Sequence, residues 1–113
     1  MYDEIISELL GSTIFIREIS IGARNLYAII LSNFFYEEVR KDKEGLYIQL
    51  NRNRVAEKLN VCIATARKYI KELQDEGFIK DVRIGLHKCN KIYLKDRTML
   101  ALVEKLRWVF IED

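Results

Sequence analysis

Arg67, Lys68 and Lys71 lie within one amphipathic stretch, on the side opposite to its apolar residues. A guanidinium can bind a guanine edge through two hydrogen bonds, and a lysine ammonium can neutralise a phosphate. The alternative is a solvated helix face on which Lys68 or Lys71 pairs with Glu72 or Asp75. These residue types therefore indicate either contact with a polyanion or ordinary surface charge.

The charges are distributed unevenly along the chain. Residues 51–95 carry eleven basic and five acidic side chains, a net charge of +6, whereas residues 1–50 have a net charge of −3 and residues 96–113 of −1. The whole chain has a formal net charge of only +2. Positive charge concentrated in one segment is typical of a surface that meets nucleic-acid phosphates.

The chain lacks the residue sets that catalysis or metal binding requires. Cys62 and Cys89 form no C-x-x-C pair, and the single histidine, His87, cannot complete a zinc site. The sequence has no glycine loop for phosphates and no serine elbow, and a Cys89–His87 pair has no third orienting group. We therefore predict that the protein is not an enzyme and binds no metal, cofactor or small-molecule ligand. Cys62 is expected to be a half-buried turn residue, and both thiols to lack a redox role.

Length and hydrophobicity set the size and the compartment of the protein. The chain has 113 residues, half of them hydrophobic, which is enough for one core. Its apolar runs are too short to cross a bilayer, and no secretory signal pattern opens the chain. We predict a soluble, cytoplasmic protein without membrane contact.

Hydrophobic periodicity and turn residues predict the order of elements. That order is a helix over residues 2–10, an extended segment over 13–20, a helix from 21 buried over 23–35, a polar loop over 41–45, a strand over 46–50, a helix over 52–60, a helix over 63–76, strands over 78–84 and 91–95, and a helix over 98–110. Ser20, Asn51 and Thr98 are the expected N-caps. Asn60 suits a left-handed turn, and Gly77 a helix stop.

This order of elements predicts an α+β fold, a winged helix-turn-helix with N-terminal and C-terminal accessory helices. The helix over 63–76 is the expected recognition helix, with Ala66, Ile70 and Leu73 packed inward and its outer side free for the major groove. The hairpin over 78–95 is the expected wing, which would contact the flanking backbone.

The domain prediction is one DNA-binding domain over residues 1–113, with its core in residues 14–95. The predicted contacts to double-stranded DNA lie on the helix before the turn, on the outer side of the recognition helix and on the wing. They are Arg52, Asn53, Arg54, Ala64, Thr65, Arg67, Lys68, Lys71, Arg83, Lys88, Asn90 and Lys91.

Apolar residues at both ends of the chain exceed what a core of this size needs. Leu102, Leu106, Trp108 and Phe110 form either a dimer surface or a stripe that packs back on the helix over 23–40, and the helix over 2–10 is a second candidate dimer surface. Because one recognition helix and one wing contact few base pairs, we predict a homodimer on a two-fold site.

Three stretches of the sequence carry a family resemblance. They are "ARNLYAIILSNFF", "GLYIQLNRNRVAEKLNVCIATARKYIKELQDEGFIKD" and "GLHKCNKIYLKD". These stretches resemble the N-terminal winged-helix domain of the replication initiator protein A family of Gram-positive plasmids, over about residues 14–95. The resemblance implies that a dimer binds repeated origin sequences.

Two other functions are compatible with the same fold. A small winged-helix transcriptional regulator of a plasmid, phage or mobile element would dock on DNA in the same way, so the sequence does not separate it from an initiator. A winged-helix module that binds only protein would not need a segment with a net charge of +6.

Overall fold

The computed structural model describes residues 19–85, 89–107 and 110–112 of the chain. Its elements in chain order are α1 (Ile21–Tyr36), β1 (Arg40–Asp42), β2 (Gly45–Leu50), α2 (Arg52–Leu59), α3 (Ile63–Asp75), β3 (Ile79–Val82), β4 (Asn90–Leu94), α4 (Arg97–Leu106) and β5 (Ile111–Glu112). The predicted helix over 2–10 and most of the extended segment over 13–20 lie outside the described residues. Among the helices that are described, none has the length and apolar content needed to span a membrane.

The broad buried face of α1 organises the core, as its 3.6-residue period predicts. Its apolar residues Ala23, Leu26, Tyr27, Ile30, Leu31, Phe34 and Phe35 are all buried. The Ser20 hydroxyl caps the helix by accepting a hydrogen bond from the amide of Ala23. The ring of Tyr27 packs against that of Phe78 with centroids 4.9 Å apart, which ties α1 to the start of the wing.

Within the described residues, five strands form one sheet in the order β3-β4-β2-β1-β5. All pairings are antiparallel except that of β5 with β1. The predicted loop over 41–45 is wrong in part, because Arg40–Asp42 is a strand paired with β2. The turn is tight: Asp42 Oδ1 accepts a hydrogen bond from the Glu44 amide at 2.8 Å, and Gly45 has a φ of 124°. The hydrogen bonds to β2 hold Arg40–Asp42 as a strand, although all three residues are polar.

The C-terminal helix is shorter than predicted. It ends at Leu106, and the amide of Ile111 donates to the carbonyl of Val39 as β5 joins the sheet. Arg107 Nη1 donates to the carbonyls of Phe34 and Glu37 at the end of α1, which neutralises that helix terminus. The prediction of a helix to residue 110 is therefore wrong, because tertiary contacts stop the helix after three turns.

The N-cap of α4 differs from the predicted one, and its apolar residues pack on the domain. Its N-cap is Asp96, whose carboxylate accepts from the amides of Thr98 and Met99, so the predicted cap at Thr98 is wrong. Met99 and Val103 are fully buried, and the apolar residues around them pack partly against the core. Of the two alternatives for this stripe, packing on the domain is the one observed for residues 97–107. Trp108 lies outside the described residues.

The N-terminus of α1 packs closely against the back of α3. The amide and the hydroxyl of Ser20 both donate to Glu72 Oε2, at 3.0 and 2.7 Å. Gly22 faces the ring of Tyr69, and a Cβ atom at position 22 would overlap that ring. A side chain at position 22 therefore requires the Tyr69 ring to move.

We expect the effect of Gly22→Ala on stability to change sign when Tyr69 is removed. In the wild-type background the added methyl displaces the ring, and such overpacking costs about 1–3 kcal/mol. In a Tyr69→Ala background the same change stabilises the protein by about 0.5–1 kcal/mol, because alanine is the better helix former. Urea denaturation of the four proteins in a double-mutant cycle measures the coupling. Additive effects would contradict the close packing.

Candidate nucleic-acid interface

The helix-turn-helix forms as the sequence predicts. Asn51 caps α2 by accepting from the amides of Asn53 and Arg54, and Asn60 ends it with a left-handed φ of 55°. This turn sets α3 across α2 with Ala66, Ile70 and Leu73 buried, as predicted. Gly77, at a φ of 79°, leads the chain from α3 into the wing. One long side of α3 is therefore left facing solvent.

The solvent-facing side of α3 carries the predicted contact residues. Ala64, Arg67, Lys68 and Lys71 are exposed. Thr65 is half-buried, and its hydroxyl lies 3.2 Å from the Cys62 sulfur. Lys71 forms an exposed pair with Asp75 at 3.5 Å, a type of contact that contributes little to stability. The solvent-facing side of α3 therefore keeps its cations accessible.

A groove of about 610 Å³ lies between this side of α3, the start of α2 and the wing. It is lined by Leu50, Asn51, Arg52, Asn53, Ile63, Arg67, Arg83, Gly85, Cys89 and Asn90. The structure thus brings Arg52, Arg67 and Arg83 together from three different elements. All three are predicted contact residues, although at least fifteen positions separate each from the next in the sequence.

Most cations around the groove have no counter-charge among the described residues. In the part of the chain that the structure describes, the side chains of Arg54, Arg67, Lys68 and Arg83 make no ion pair. Arg52 differs, because its Nη2 atom donates to Asp81 Oδ2 at 2.7 Å. Unpaired cations on one surface attract a polyanion and favour its phosphates over a neutral partner.

Asn90 lines the base of the groove and is largely buried. Its side chain is 9 % exposed, and its Nδ2 atom donates to Asp81 Oδ1 at 2.8 Å. This hydrogen bond ties β4 to β3 at the base of the wing, and the assignment of Asn90 as a DNA contact stays a prediction. The sequence of β3 already indicates that Asp81 has hydrogen-bond partners. Side chains alternate along a strand, so Asp81 lies on the same side as the buried Ile79. A carboxylate on a buried face needs partners.

Lys91 is on the other side of the sheet from the groove. Its ammonium pairs with Asp42 at 3.2 Å and lies 4.4 Å from the centroid of the Tyr47 ring. The Tyr93 hydroxyl donates to the same carboxylate at 2.5 Å. Lys91 therefore lies away from the groove, and its assignment as a DNA contact stays an untested prediction. Lys88 lies outside the described residues, so its assignment stays a prediction.

The shared carboxylate shifts the titration of its partners. The hydrogen bond to Asp42 raises the pKa of the Lys91 ammonium. Burial, and then the hydrogen bond to Asp42, raise the pKa of Tyr93 to about 12. Burial opposes ionisation of Asp42, but hydrogen bonds from Tyr93, the Glu44 amide and Lys91 lower its pKa overall. The Asp42 cluster, consisting of Asp42, Tyr47, Lys91 and Tyr93, is a structural unit.

Cys62 is the N-cap residue of α3 and is exposed, so the prediction of a half-buried position is wrong. The turn leaves the side chain pointing outward at the helix start. The hydrogen bond with the Thr65 hydroxyl lowers the pKa of its thiol. The thiol caps none of the free amides of the first turn by a side-chain hydrogen bond.

We expect Cys62→Ser to stabilise the protein by about 0.5–1 kcal/mol, because serine is a preferred N-cap and the backbone already has the extended cap conformation. Cys89→Ser, at a residue of the wing, is the matched control and should be neutral. Urea denaturation of both variants measures the difference. Equal stability of the two would contradict the capping argument. Affinity for DNA should stay close to wild type in the double variant.

The model of the family described as the N-terminus of replication initiator protein A (RepA) matches residues 2–105. No curated protein matches the chain.

Among solved structures, the chain is similar to a transcriptional regulator of the CRP family from Thermus thermophilus. The TM-score is 0.53 and the identity 18 %, over 96 % of this chain and 48 % of that regulator. The chain thus spans about half of the regulator's length, and the similarity concerns the fold alone. With the element order described above, it confirms the predicted α+β winged helix-turn-helix.

Proposed function

Because the chain belongs to the family of replication initiator protein A N-termini, we propose that it binds double-stranded DNA of defined sequence, as the origin-binding part of a plasmid replication initiator. The observation that carries this proposal is the convergence of Arg52, Arg67 and Arg83 on one groove beside α3. Two of these arginines have no ion pair in the described residues. A groove of this kind fits an acidic, elongated ligand.

In the proposed complex the first turns of α3 enter the major groove. Arg67 binds a guanine edge, while Lys68 and Lys71 contact phosphates. The start of α2 meets the DNA backbone through Asn53 and Arg54, where the amide dipoles of the helix favour an anion. The wing reaches the flanking backbone through Arg83. Contacts to base edges then determine the preferred sequence, and contacts to phosphates determine the salt dependence.

The second candidate function is a small transcriptional regulator that binds a promoter with the same surface. Its support is the similarity in fold to a regulator, which leaves the target site open. A module that binds only protein is disfavoured by the unpaired cations of the groove. The proposals differ in where the specific DNA site lies.

The decisive experiment is fluorescence anisotropy with three duplexes at several salt concentrations. They contain the iterated repeats of the replicon's origin, the promoter region of the same replicon, and a scrambled sequence. We expect tight binding to the repeats, with affinity for the scrambled duplex lower by about 10³-fold or more. Equal affinity for the repeats and the scrambled duplex would contradict an origin-binding function, and preference for the promoter would favour the regulator.

We further propose that two copies bind one site. A single recognition helix and wing span too few base pairs for selective binding, and a two-fold site doubles the footprint. Analytical ultracentrifugation at micromolar concentration, with and without the repeat duplex, tests this stoichiometry. A monomer that binds one per site in both conditions would rule the dimer out.

A further inference from the structure

Asp81 connects three elements around the groove. Its carboxylate accepts hydrogen bonds from Arg52 at the start of α2 and from Asn90 at the start of β4, at 2.7 and 2.8 Å. Its amide donates to Gln74 Oε1, near the C-terminus of α3, at 2.8 Å. One residue of β3 is therefore tied to both helices of the motif and to the neighbouring strand.

Because Asp81 lies at the base of the wing, its hydrogen bonds can set the orientation of the wing. Arg83 follows two residues later, about 7 Å along the chain at the rise of a strand, and Gly85 and Cys89 continue along the groove. A change in the angle of β3 at Asp81 would move Arg83 relative to Arg67. Recognition by α3 and contact by the wing therefore depend on the same anchor.

Arg52 is arranged as a partner of Asp81. Its side chain is 31 % exposed and that of Asp81 is 14 % exposed, so the pair is partly shielded from solvent and salt screens it less than a surface pair. Asn90, the third member, is buried. An arginine engaged in such a pair has less charge to offer to a phosphate than the unpaired Arg67 and Arg83.

We propose that Asp81 is a positioning residue that fixes the wing against α3, and that Arg52 acts through it instead of contacting DNA. This inference rests on the proposed DNA-binding function. It replaces one direct contact of the predicted interface with a strut, made of Arg52, Asp81 and Asn90, that sets the distance between the wing and the recognition helix.

The test uses a charge-neutral double variant, Arg52→Ala/Asp81→Ala. It removes one positive and one negative charge, so the net charge of the protein is unchanged. We expect the affinity for the full cognate duplex to fall about tenfold, equivalent to about 1.4 kcal/mol. The slope of log affinity against log salt should stay at the wild-type value, because no phosphate contact is lost. A slope reduced by about 0.9 would overturn the proposal, since Arg52 would then be a phosphate ligand.

A shortened duplex separates positioning from a general loss of structure. On a duplex truncated to remove the flank that the wing contacts, the double variant and the wild type should bind equally. A tenfold loss on both duplexes would overturn the positioning role. Unchanged affinity on the full duplex would also overturn it. A melting curve checks folding, and Arg52→Gln/Asp81→Asn, which keeps polar partners in place, should recover part of the affinity if the strut matters.

The matched control is Glu44→Ala/Lys80→Ala. Lys80 precedes Asp81 in β3, and its pair with Glu44 at 3.1 Å lies on the opposite face of the strand, away from the groove. This charge-neutral change should leave affinity and salt slope at wild-type values. If the wild type itself binds no duplex selectively, the proposed function fails. If the wild type binds and only the Arg52/Asp81 variant deviates from expectation, the strut alone is wrong.

Discussion

Arg67→Ala is expected to lower affinity for the cognate duplex by about 1–3 kcal/mol and to relax the sequence preference at one or two positions of the site. Arg67 is exposed on the outer side of α3 and lines the groove beside the wing. A guanidinium in this place can make two hydrogen bonds to a guanine, and alanine can make none. Because the side chain has no ion pair among the described residues, the change should leave stability near wild type.

The measurement is fluorescence anisotropy on the cognate duplex and on duplexes with single base-pair changes, beside a melting curve. Arg97→Ala is the matched control, because Arg97 is also exposed but begins α4, which does not line the groove. Its affinity and sequence preference should match wild type. If Arg67→Ala binds every duplex as wild type does, α3 does not read bases and the proposed docking is wrong.

The wing should behave differently from α3 in the same assay. Arg83→Ala is expected to weaken binding to all sequences alike and to lower the salt-dependence slope by about 0.9, as loss of one phosphate contact does. Lys88→Ala carries the same expectation. Together with Arg67→Ala, these variants distinguish contacts that specify sequence from contacts that only supply affinity.

The second large effect concerns stability and leaves DNA binding intact. Asp42→Ala should lower the free energy of unfolding by about 3 kcal/mol, because the partly buried carboxylate accepts hydrogen bonds from both Lys91 and Tyr93. Tyr93→Phe is the control that removes one hydroxyl and should cost about 1 kcal/mol. Affinity per folded molecule should be unchanged in both variants, since the cluster lies away from the groove. A loss of affinity without a loss of stability would instead indicate that Lys91 contacts DNA.

The same cluster predicts how stability depends on pH. The lowered pKa of Asp42 contributes stability that is present above its ordinary value of 3.8 and is lost as the pH falls through the folded pKa. The raised pKa of Tyr93 contributes stability that is present below its ordinary value of 10 and is lost as the pH rises through about 12. Absorbance titration of the phenols should show one tyrosine near 12 that shifts downward in Asp42→Asn. If no tyrosine has a raised pKa, the burial of Tyr93 is contradicted.

Local chemistry made the helices of this protein predictable. Ser20, Asn51, Asn60 and Gly77 act within a few residues of their own position, so their roles as caps and turns could be read without knowing the fold. The buried stripe of α3 follows from a 3.6-residue period, which also leaves Arg67 on the outer side. The winged helix-turn-helix and the candidate recognition surface were therefore within reach of the sequence.

Tertiary structure decided the parts that depend on a distant partner. The residues before Gly45 form a strand because β2 pairs with them, and α4 stops at Leu106 because the chain beyond it binds the end of α1 and the edge of β1. Asn90 and Lys91 are neighbours in the sequence, but one joins Asp81 beneath the groove and the other joins Asp42 on the opposite face. Alternation along a strand separates the two, and only the pairing of that strand with β2 and β3 determines which of them faces the groove.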